Sequence, residues 1–193
     1  NENYHLVHAT HINKKEVSKI ADSGANVVLC PTTEGNLGDG IFPLKEFLSR
    51  NGNWSIGTDS HVSLNPMEEI RLLDYGQRLI SHKRNTFGNS ISGDNATIAI
   101  NSAFKNGKKS MGINQQNGFE IGKPLDALII SNNHPLINQT SIKNLSNTIL
   151  YSSDISSYKG TIVNGKWIIN NGNHENNSIN ENFVKTIKEL ANR

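Results

Sequence analysis

Short apolar runs alternate with amphipathic stretches over residues 1–82 of the chain. The runs at 5–9, 26–30 and 54–58 have the length of strands, and the second is almost continuously apolar, as in a parallel strand buried on both faces. A helical period follows each run, at 14–23, 42–50 and 67–82. This alternation predicts right-handed parallel strand–helix units.

Two of these helices have a defined apolar face. The first turns Val17, Ile20 and Ala21 inward and ends at Gly24, a typical C-terminal cap. The third places apolar residues on one face and leaves its basic residues, with those just after it, on a solvated surface. The apolar residues are Ile70, Leu73 and Leu79, and the basic ones are Arg71, Arg78, Lys83 and Arg84. Between the second strand and the second helix, residues 31–40 are predicted as a long polar loop.

The pattern changes after about residue 83. The predicted elements are a helix at 97–111, loop-rich chain at 112–122, β-like runs at 126–131, 148–151 and 160–169, a flexible loop at 170–180 and an amphipathic helix at 181–191. The last β-like run turns on Asn164-Gly165, which is a strong hairpin signal. The expected domains are therefore a strand–helix domain at 1–112, a small β domain at 113–180 and a C-terminal helix at 181–193.

Composition excludes several classes of protein. The chain has 193 residues, 35% of them hydrophobic, which is enough for a core. Its net charge of +2 is spread along the sequence, so we expect neither nucleic acid nor a membrane surface as a partner. No apolar run approaches the roughly 20 residues of a membrane span. The single cysteine, Cys30, excludes an intrachain disulfide and suits the reducing cytoplasm, which is the expected location.

Each of the three predicted strands ends in side chains that carry chemistry. The first ends at His8, the second is followed by Thr33 and Glu34, and the third leads to Asp59 and His61. In parallel α/β architecture, functional sites are built at the C-terminal ends of strands. A carboxylate placed there can be a metal ligand or a proton acceptor.

The histidines and Asp59 also have ordinary structural interpretations. Asp59 could cap the helix that follows it, because Asp is favoured at that position. His8 could be a partly buried histidine whose ring is simply hydrogen-bonded. His11 and His61 are interpreted at most as supporting residues around a site.

Glu34 and Cys30, near the end of the second strand, also have ordinary structural interpretations. Glu34 could be a solvated acid in a turn formed by Pro31 with Gly35 and Gly38. Cys30 has no basic neighbours in sequence, so it is interpreted as an inert core thiol rather than a nucleophile.

Several segments, taken together, resemble the amidohydrolase superfamily. The strand-end motifs are LVHATH at 6–11, CPTTEGNLGDG at 30–40 and IGTDSHVSL at 56–64. The last two of these look like the formimidoylglutamate deiminase branch of the superfamily. Further similarity lies in EEIRLLDYGQRL at 68–79 with Arg84-Asn85, GKPLDALIIS at 122–131 and VNGKW at 163–167.

The resemblance implies an α/β fold with a partial (β/α)8 TIM barrel, made of its last three βα units, followed by a small β-rich domain and a C-terminal helix. Family members bind zinc through a His-X-His pair after the first barrel strand and a third histidine after the fifth. No His-X-His occurs in this sequence. The chain starts at Asn1 without Met, and we expect it to be the C-terminal part of such an enzyme, whose missing N-terminal part holds the other zinc ligands.

The resemblance also implies a reaction. Zinc held by three histidines and Asp59 would lower the pKa of a bound water, and the resulting hydroxide would attack N-formimidoyl-L-glutamate to give N-formyl-L-glutamate and ammonia. Asp59 would take the proton, and His8 would hydrogen-bond the hydroxide or the tetrahedral centre. Thr33, Glu34 and His61 are candidates for substrate binding or for support of these residues. The expected partners are this small molecule, the missing N-terminal part of the barrel and a second copy in a homodimer.

Two other interpretations stay open. The absence of His-X-His favours a catalytically incompetent fragment or a degenerate amidohydrolase. A guanine, cytosine or S-adenosylhomocysteine type of deaminase is the alternative within the enzyme class, and the sequence TTEGNLGDG disfavours it.

Overall fold

The computed structural model describes residues 1–88, 94–113, 115 and 117–192. These residues form two compact units. The first consists of Asn1–Asn117 and Pro135–Ser153, and the second of Gly118–His134 and Asp154–Arg193. Positions 114 and 116 of the predicted loop 112–122, and Arg193 at the end of the last predicted domain, lie outside the described residues.

A parallel sheet of three strands lies at the centre of the first unit. The strands β1 (His5–Val7), β2 (Asn26–Leu29) and β3 (Asn53–Ile56) are hydrogen-bonded in the order β1-β2-β3. In this register Val7 is opposite Val28, and Val28 is opposite Ser55. The three predicted parallel strands are thus confirmed, each shorter than its apolar run.

Among the described residues, the first unit has seven α-helices besides this sheet. They are α1 (Lys14–Ser23), α2 (Pro31–Leu37), α3 (Leu44–Leu48), α4 (Pro66–Ser81), α5 (Asn95–Ser110), α6 (Pro135–Gln139) and α7 (Leu145–Ser152). Helix α1 has the predicted bounds. Asn13 and Glu16 form a capping box at its start, and Gly24, with a φ of 74°, ends it.

The prediction of a polar loop at 31–40 is wrong for its first part, because α2 begins directly after β2. Pro31 occupies the first helical position, where its missing N–H removes no hydrogen bond. The side chain of Glu34 accepts the backbone N–H of Cys30, the residue directly before the helix. Gly38 ends the helix with a φ of 72°. Local capping thus outweighs the glycine and asparagine content that indicated a loop.

The core of the first unit lies between the sheet and its helices. Val27 and Leu29 of β2 are fully buried, and so is Phe47 of α3. Trp54 of β3 is 1% exposed, and its ring stacks on Phe87 with centroids 5.2 Å apart. Both ends of the chain segment 54–87 are thereby held in one core.

Helix α4 buries a different face from the one predicted. Ile70 and Leu73 are buried as expected, but Leu79 is 76% exposed. Positions 70 and 79 are about two and a half turns apart, so their side chains point in opposite directions. The buried face instead includes the polar residues Glu69, Asp74 and Gln77.

Two arginines assigned to a solvated face are anchored within the first unit. Arg71 donates from Nε and Nη2 to the carbonyl oxygens of Leu150 and Ser153, each at 2.6 Å. Arg78 forms a 2.6 Å ion pair with the fully buried Asp74. The prediction is therefore wrong for these two residues, whereas Lys83 and Arg84 are exposed.

Asp74 is the centre of a buried polar cluster. Its Oδ2 also accepts the hydroxyl of Tyr151 at 2.6 Å and the amide of Asn95 at 3.2 Å. Burial, followed by the neighbouring Asp74, raises the pKa of Tyr151. The cluster joins α4, α5 and α7, and it keeps the Tyr151 hydroxyl protonated.

The β-like run at 148–151 is helical in the structure and forms most of α7. A short apolar run cannot be assigned to strand or helix by its periodicity alone. Here Leu150 is fully buried, and the helix contacts α4 and α5. Residues 135–153, which the sequence analysis placed in the small β domain, accordingly belong to the first unit.

The second unit contains an antiparallel sheet and a terminal helix. The strands β4 (Ala127–Ile130), β5 (Tyr158–Val163), β6 (Lys166–Asn170) and β7 (Asn173–His174) are adjacent in that order. The hairpin predicted at Asn164-Gly165 is confirmed, with φ values of 49° and 76°. Helix α8 (Ile179–Ala191) agrees closely with the predicted helix, and the predicted flexible loop 170–180 includes β7.

Candidate active site at the carboxyl ends of the strands

The three strand-end segments lie at one edge of the parallel sheet. The N–H of His8 donates to the carbonyl of Val28, and the N–H of Gly57 donates to that of Leu29, each at 2.9 Å. These bonds continue the sheet beyond the last residues of β1 and β3. Side chains that follow β1, β2 and β3 are therefore brought together, as the sequence predicts.

His8 and Asp59 are the two predicted site residues that the fold brings closest. Nε2 of His8 lies 3.8 Å from Oδ2 of Asp59, and both side chains are partly open to solvent. Their φ values are 64° and 44°, in the left-handed region that residues other than glycine seldom adopt. Such a conformation costs about 1–3 kcal/mol and persists only where surrounding contacts hold it. The strand-end positions that the sequence predicts for these two residues thus bring their side chains together.

Glu34 lies behind His8 and is buried, contrary to the interpretation of a solvated acid. Its Oε1 accepts the N–H of Cys30 at 2.8 Å and lies 3.3 Å from Nδ1 of His8. Burial raises the pKa of the Glu34 carboxyl, while the bonds from Cys30 and His8 lower it. The carboxyl group thus joins the end of β2 to the histidine at the end of β1.

Thr33 ties α2 to the turn that contains Asp59. Its side chain is 1% exposed, and its Oγ1 lies 2.9 Å from Oγ of Ser60. The N–H of Ser60 donates to the same oxygen at 3.3 Å. These contacts hold the left-handed turn at Asp59, so Thr33 supports that turn from a buried position.

Glu69 anchors the start of α2 and was not recognised in the sequence. Its fully buried carboxylate accepts both the N–H of Thr32, at 3.0 Å, and the Thr32 hydroxyl, at 2.5 Å. The available signal was its position four residues before Leu73, because residues at that spacing share one face of a helix. A charged residue on an apolar face needs a partner.

The remaining candidates are less involved in the site. His61 is exposed, and within the described chain no hydrogen bond joins its ring to His8 or Asp59. Burial first, then the charges of Glu34, Asp59 and Glu69, raises the pKa of the Cys30 thiol from 9.0 to about 12. The thiol stays protonated at neutral pH, in agreement with the interpretation of an inert cysteine.

The metal-binding groups of this site are few. Among the described residues, no three His, Cys, Asp or Glu side chains form a cluster that could hold a metal ion. Asp59 offers one carboxylate, which is partly exposed at the open edge of the site and suits a single zinc ligand.

None of the helices in the described part of the chain has the length and apolar content that a bilayer crossing needs.

The sequence and the fold both match known proteins. Residues 3–168 match the amidohydrolase family. Over 96% of its length the chain is 36% identical to formimidoylglutamate deiminase of Pseudomonas aeruginosa and covers 41% of that protein. It is 29% identical to 5-methylthioadenosine/S-adenosylhomocysteine deaminase of Acetivibrio thermocellus, again over 96% of the chain and 42% of the relative.

Two solved structures share the fold. An amidohydrolase from Brucella melitensis matches with a TM-score of 0.85 and 28% identity, over 97% of this chain and 41% of its own. A zinc-bound adenosine deaminase from Xanthomonas campestris matches with a TM-score of 0.79 and 17% identity, over 98% of this chain and 42% of its own. The sheet and helices of the first unit thus correspond to part of a TIM-barrel fold.

Sequence and fold agree on the family of the chain. The chain belongs to the amidohydrolase family, and it spans about two fifths of the length of the curated relatives it matches.

Proposed function

We propose that the chain supplies one side of the active site of a zinc-dependent deiminase that converts N-formimidoyl-L-glutamate and water into N-formyl-L-glutamate and ammonia. The observation that carries the proposal is the His8–Asp59 pair, 3.8 Å apart at the strand ends, in a chain 36% identical to a formimidoylglutamate deiminase. The substrate rests on that similarity and on the strand-end motifs.

The three parallel strands would be the last three of the eight strands of the barrel. The other five would come from a part that the relatives possess and this chain does not cover. That part would carry the His-X-His pair and the groups that hold the two carboxylates of the substrate. The free edges of the sheet at β1 and β3 would pair with strands of that part, so the domain 1–112 would become part of a closed barrel. The complete protein would form a homodimer.

Asp59 would be this chain's only ligand to zinc. Its carboxylate suits zinc, and three histidines from the remainder of the barrel would be the other protein ligands. When bound, zinc would act as a Lewis acid that activates a water molecule at neutral pH.

The residues of this chain would control the proton and the position of the attacking water. Asp59 would accept the two protons of that water in turn and pass each to the departing nitrogen, which leaves as ammonia while the oxygen becomes the formyl carbonyl. Nε2 of His8 faces the same space and would hydrogen-bond the attacking oxygen. Thr33 and Glu34 would support Asp59 and His8, and the exposed His61 could reach the substrate.

A second candidate is a deaminase of 5-methylthioadenosine or S-adenosylhomocysteine, favoured by the 29% identity to such an enzyme over 96% of the chain. It would use the same His8 and Asp59 on a purine ring. An incompetent or degenerate chain is the remaining alternative, because this sequence has no His-X-His pair.

The test uses a reconstituted barrel, defined as this chain fused to the N-terminal region of the Pseudomonas aeruginosa deiminase that it does not cover. Ammonia release would be measured with N-formimidoyl-L-glutamate and with 5-methylthioadenosine. We expect turnover of the first substrate alone. Turnover of the nucleoside alone would select the second candidate, and a folded, zinc-loaded barrel without turnover of either would support the incompetent chain.

A further inference from the structure

We propose that Glu34 is a positioning residue that fixes the His8 ring with its Nδ1–H on the carboxylate and its Nε2 towards Asp59. The inference rests on the proposed function, because it assigns Glu34 a role through His8 rather than a contact with the substrate. The geometry that supports it is that of the buried Glu34 on α2 and the buried Glu69 on α4.

The two nitrogens of the His8 ring face different partners. Nδ1 lies 3.3 Å from Oε1 of Glu34, and Nε2 lies 3.8 Å from Oδ2 of Asp59. The Glu34 side chain is 5% exposed and that of Asp59 is 41% exposed. The ring therefore has a buried side and an open side, and a substrate can approach only the open one.

The direction of the Glu34–His8 hydrogen bond follows from the chemistry of the carboxylate. Oε1 of Glu34 already accepts the N–H of Cys30 at 2.8 Å, so it is an unprotonated oxygen of the carboxyl group. An unprotonated oxygen has no hydrogen to donate, so Nδ1 of His8 carries the hydrogen of this bond. In a neutral imidazole the other nitrogen, Nε2, then has the free lone pair.

This arrangement makes Nε2 a hydrogen-bond acceptor on the open side of the ring. A lone pair directed at the space beside Asp59 can accept a hydrogen bond from the attacking water and orient that water. The opposite tautomer would place an N–H there and leave Nδ1 without a proton to share with the carboxylate. Glu34 thus selects the useful tautomer and does so without reaching the substrate.

Glu34 is itself held from behind. Glu69 of α4 binds the N–H and the hydroxyl of Thr32, so the first turn of α2 cannot move away from the sheet. His8 needs such support because its φ of 64° is in the left-handed region. The path from Glu69 through α2 and Glu34 to His8 is a continuous set of partly or fully buried contacts.

Two substitutions separate the hydrogen bond from the charge. Glu34→Gln removes the charge but can keep an acceptor oxygen at the position of Oε1, whereas Glu34→Leu removes the acceptor. Thr140→Val is the control: it deletes the hydrogen bonds of the Thr140 hydroxyl with the Leu136 carbonyl and with Thr148, partners that belong neither to α2 nor to the site. Each variant would be made in the reconstituted barrel with 15N-labelled histidine, and the His8 signals would be assigned by their loss in His8→Asn.

Long-range 1H–15N spectra report the tautomer, and steady-state kinetics report its consequence. We expect the Nδ1–H tautomer in the unmodified protein, in Glu34→Gln and in Thr140→Val, and loss of its dominance in Glu34→Leu. The kcat of Glu34→Leu should fall about 10–100-fold, the usual effect of removing such a supporting group, with little change in KM. The kcat of Glu34→Gln should stay near that of the unmodified protein.

Two outcomes would overturn the proposal. One is an unchanged His8 tautomer in a folded Glu34→Leu, and the other is a loss of kcat in Glu34→Gln as large as that expected for Glu34→Leu. Should Glu34→Leu not fold, Glu34→Gln still decides through its spectrum and its kcat. If the unmodified barrel lacks deiminase activity, the proposed function fails, while the spectra test the tautomer independently.

Discussion

Nε2 of His8 lies 3.8 Å from Oδ2 of Asp59, and both residues adopt left-handed backbone conformations at the ends of their strands. Neither residue is a glycine, so the surrounding structure has to hold each conformation. Thr33 does so for the Asp59 turn through Ser60, and Glu34 contacts the ring of His8. The pair is thus a strained arrangement supported from the buried side.

Substitution of Asp59 by Asn in the reconstituted barrel should abolish measurable turnover. The amide cannot accept the proton of the attacking water, and proton transfer of this kind contributes about 10²–10⁴-fold to the rate. The measurement is ammonia release at saturating substrate. His61→Asn is the control, and we expect a much smaller effect because the His61 ring makes no hydrogen bond to the pair within the described chain. Activity of Asp59→Asn close to that of the unmodified barrel would remove Asp59 from the mechanism.

The 193-residue chain by itself should bind zinc weakly and should not turn over formimidoylglutamate. A catalytic zinc site needs three protein ligands, whereas Asp59 and His8 offer two at most. Zinc would be measured by elemental analysis after gel filtration and compared with that of the reconstituted barrel. One zinc per chain, or turnover without the added region, would show that the missing ligands have been misidentified.

Substitution of Asp74 by Ala should destabilise the first unit by about 1–3 kcal/mol, because it removes the fully buried acceptor of Arg78, whose side chain is 22% exposed. Tyr151 and Asn95 would lose an acceptor in the same step. The free energy of unfolding would be measured by urea denaturation. Asp22→Ala, at an exposed position of α1, is the control and should change stability by less than about 0.5 kcal/mol. Equal effects of the two substitutions would contradict a structural role for the cluster.

Cys30 should resist alkylation in the folded chain up to strongly alkaline pH. Burial and three nearby carboxylates raise the pKa of its thiol to about 12, so the reactive thiolate is not formed at pH 8. Iodoacetamide labelling at pH 8 should be slow in the native chain and fast in urea. Rapid labelling of the native chain would show that the site around Cys30 opens.

The same pKa predicts how stability depends on pH. The thiol has its ordinary pKa of 9.0 when unfolded and a higher pKa when folded, so its stabilising contribution is complete below pH 9 and is lost as pH rises towards 12. The comparison with Cys30→Ala isolates this effect from other groups. The stability difference between the two proteins should shift in favour of Cys30→Ala over that range.

Part of the site was predictable from the sequence because it depends on strand position alone. Residues that follow parallel strands must lie at one edge of a sheet, so His8, Thr33, Glu34 and Asp59 could be grouped before any coordinates. The burial of Glu34 could not be anticipated, because it depends on α2 starting directly after β2. A helix there turns the acid inward, whereas a loop would have left it in solvent.

Helix contacts were the least predictable part of the fold. The run at 148–151 has no period that separates a strand from a helix, and only its packing on α4 and α5 makes it α7. Arg71 and Arg78 look like surface residues in the sequence, and their partners, such as Ser153 and Asp74, depend on where α7 packs and on which face α4 buries.

The sequence by itself determined the parallel strand–helix order, the hairpin at Asn164-Gly165 and the identity of the strand-end residues, because periodicity and turn chemistry are local properties. Only the tertiary structure decided which of those residues meet. The 3.8 Å approach of His8 to Asp59, the carboxylate of Glu34 on Nδ1 and the anchoring of α2 by Glu69 join elements far apart in the chain. Such contacts depend on how helices pack on the sheet, and no local pattern encodes that packing.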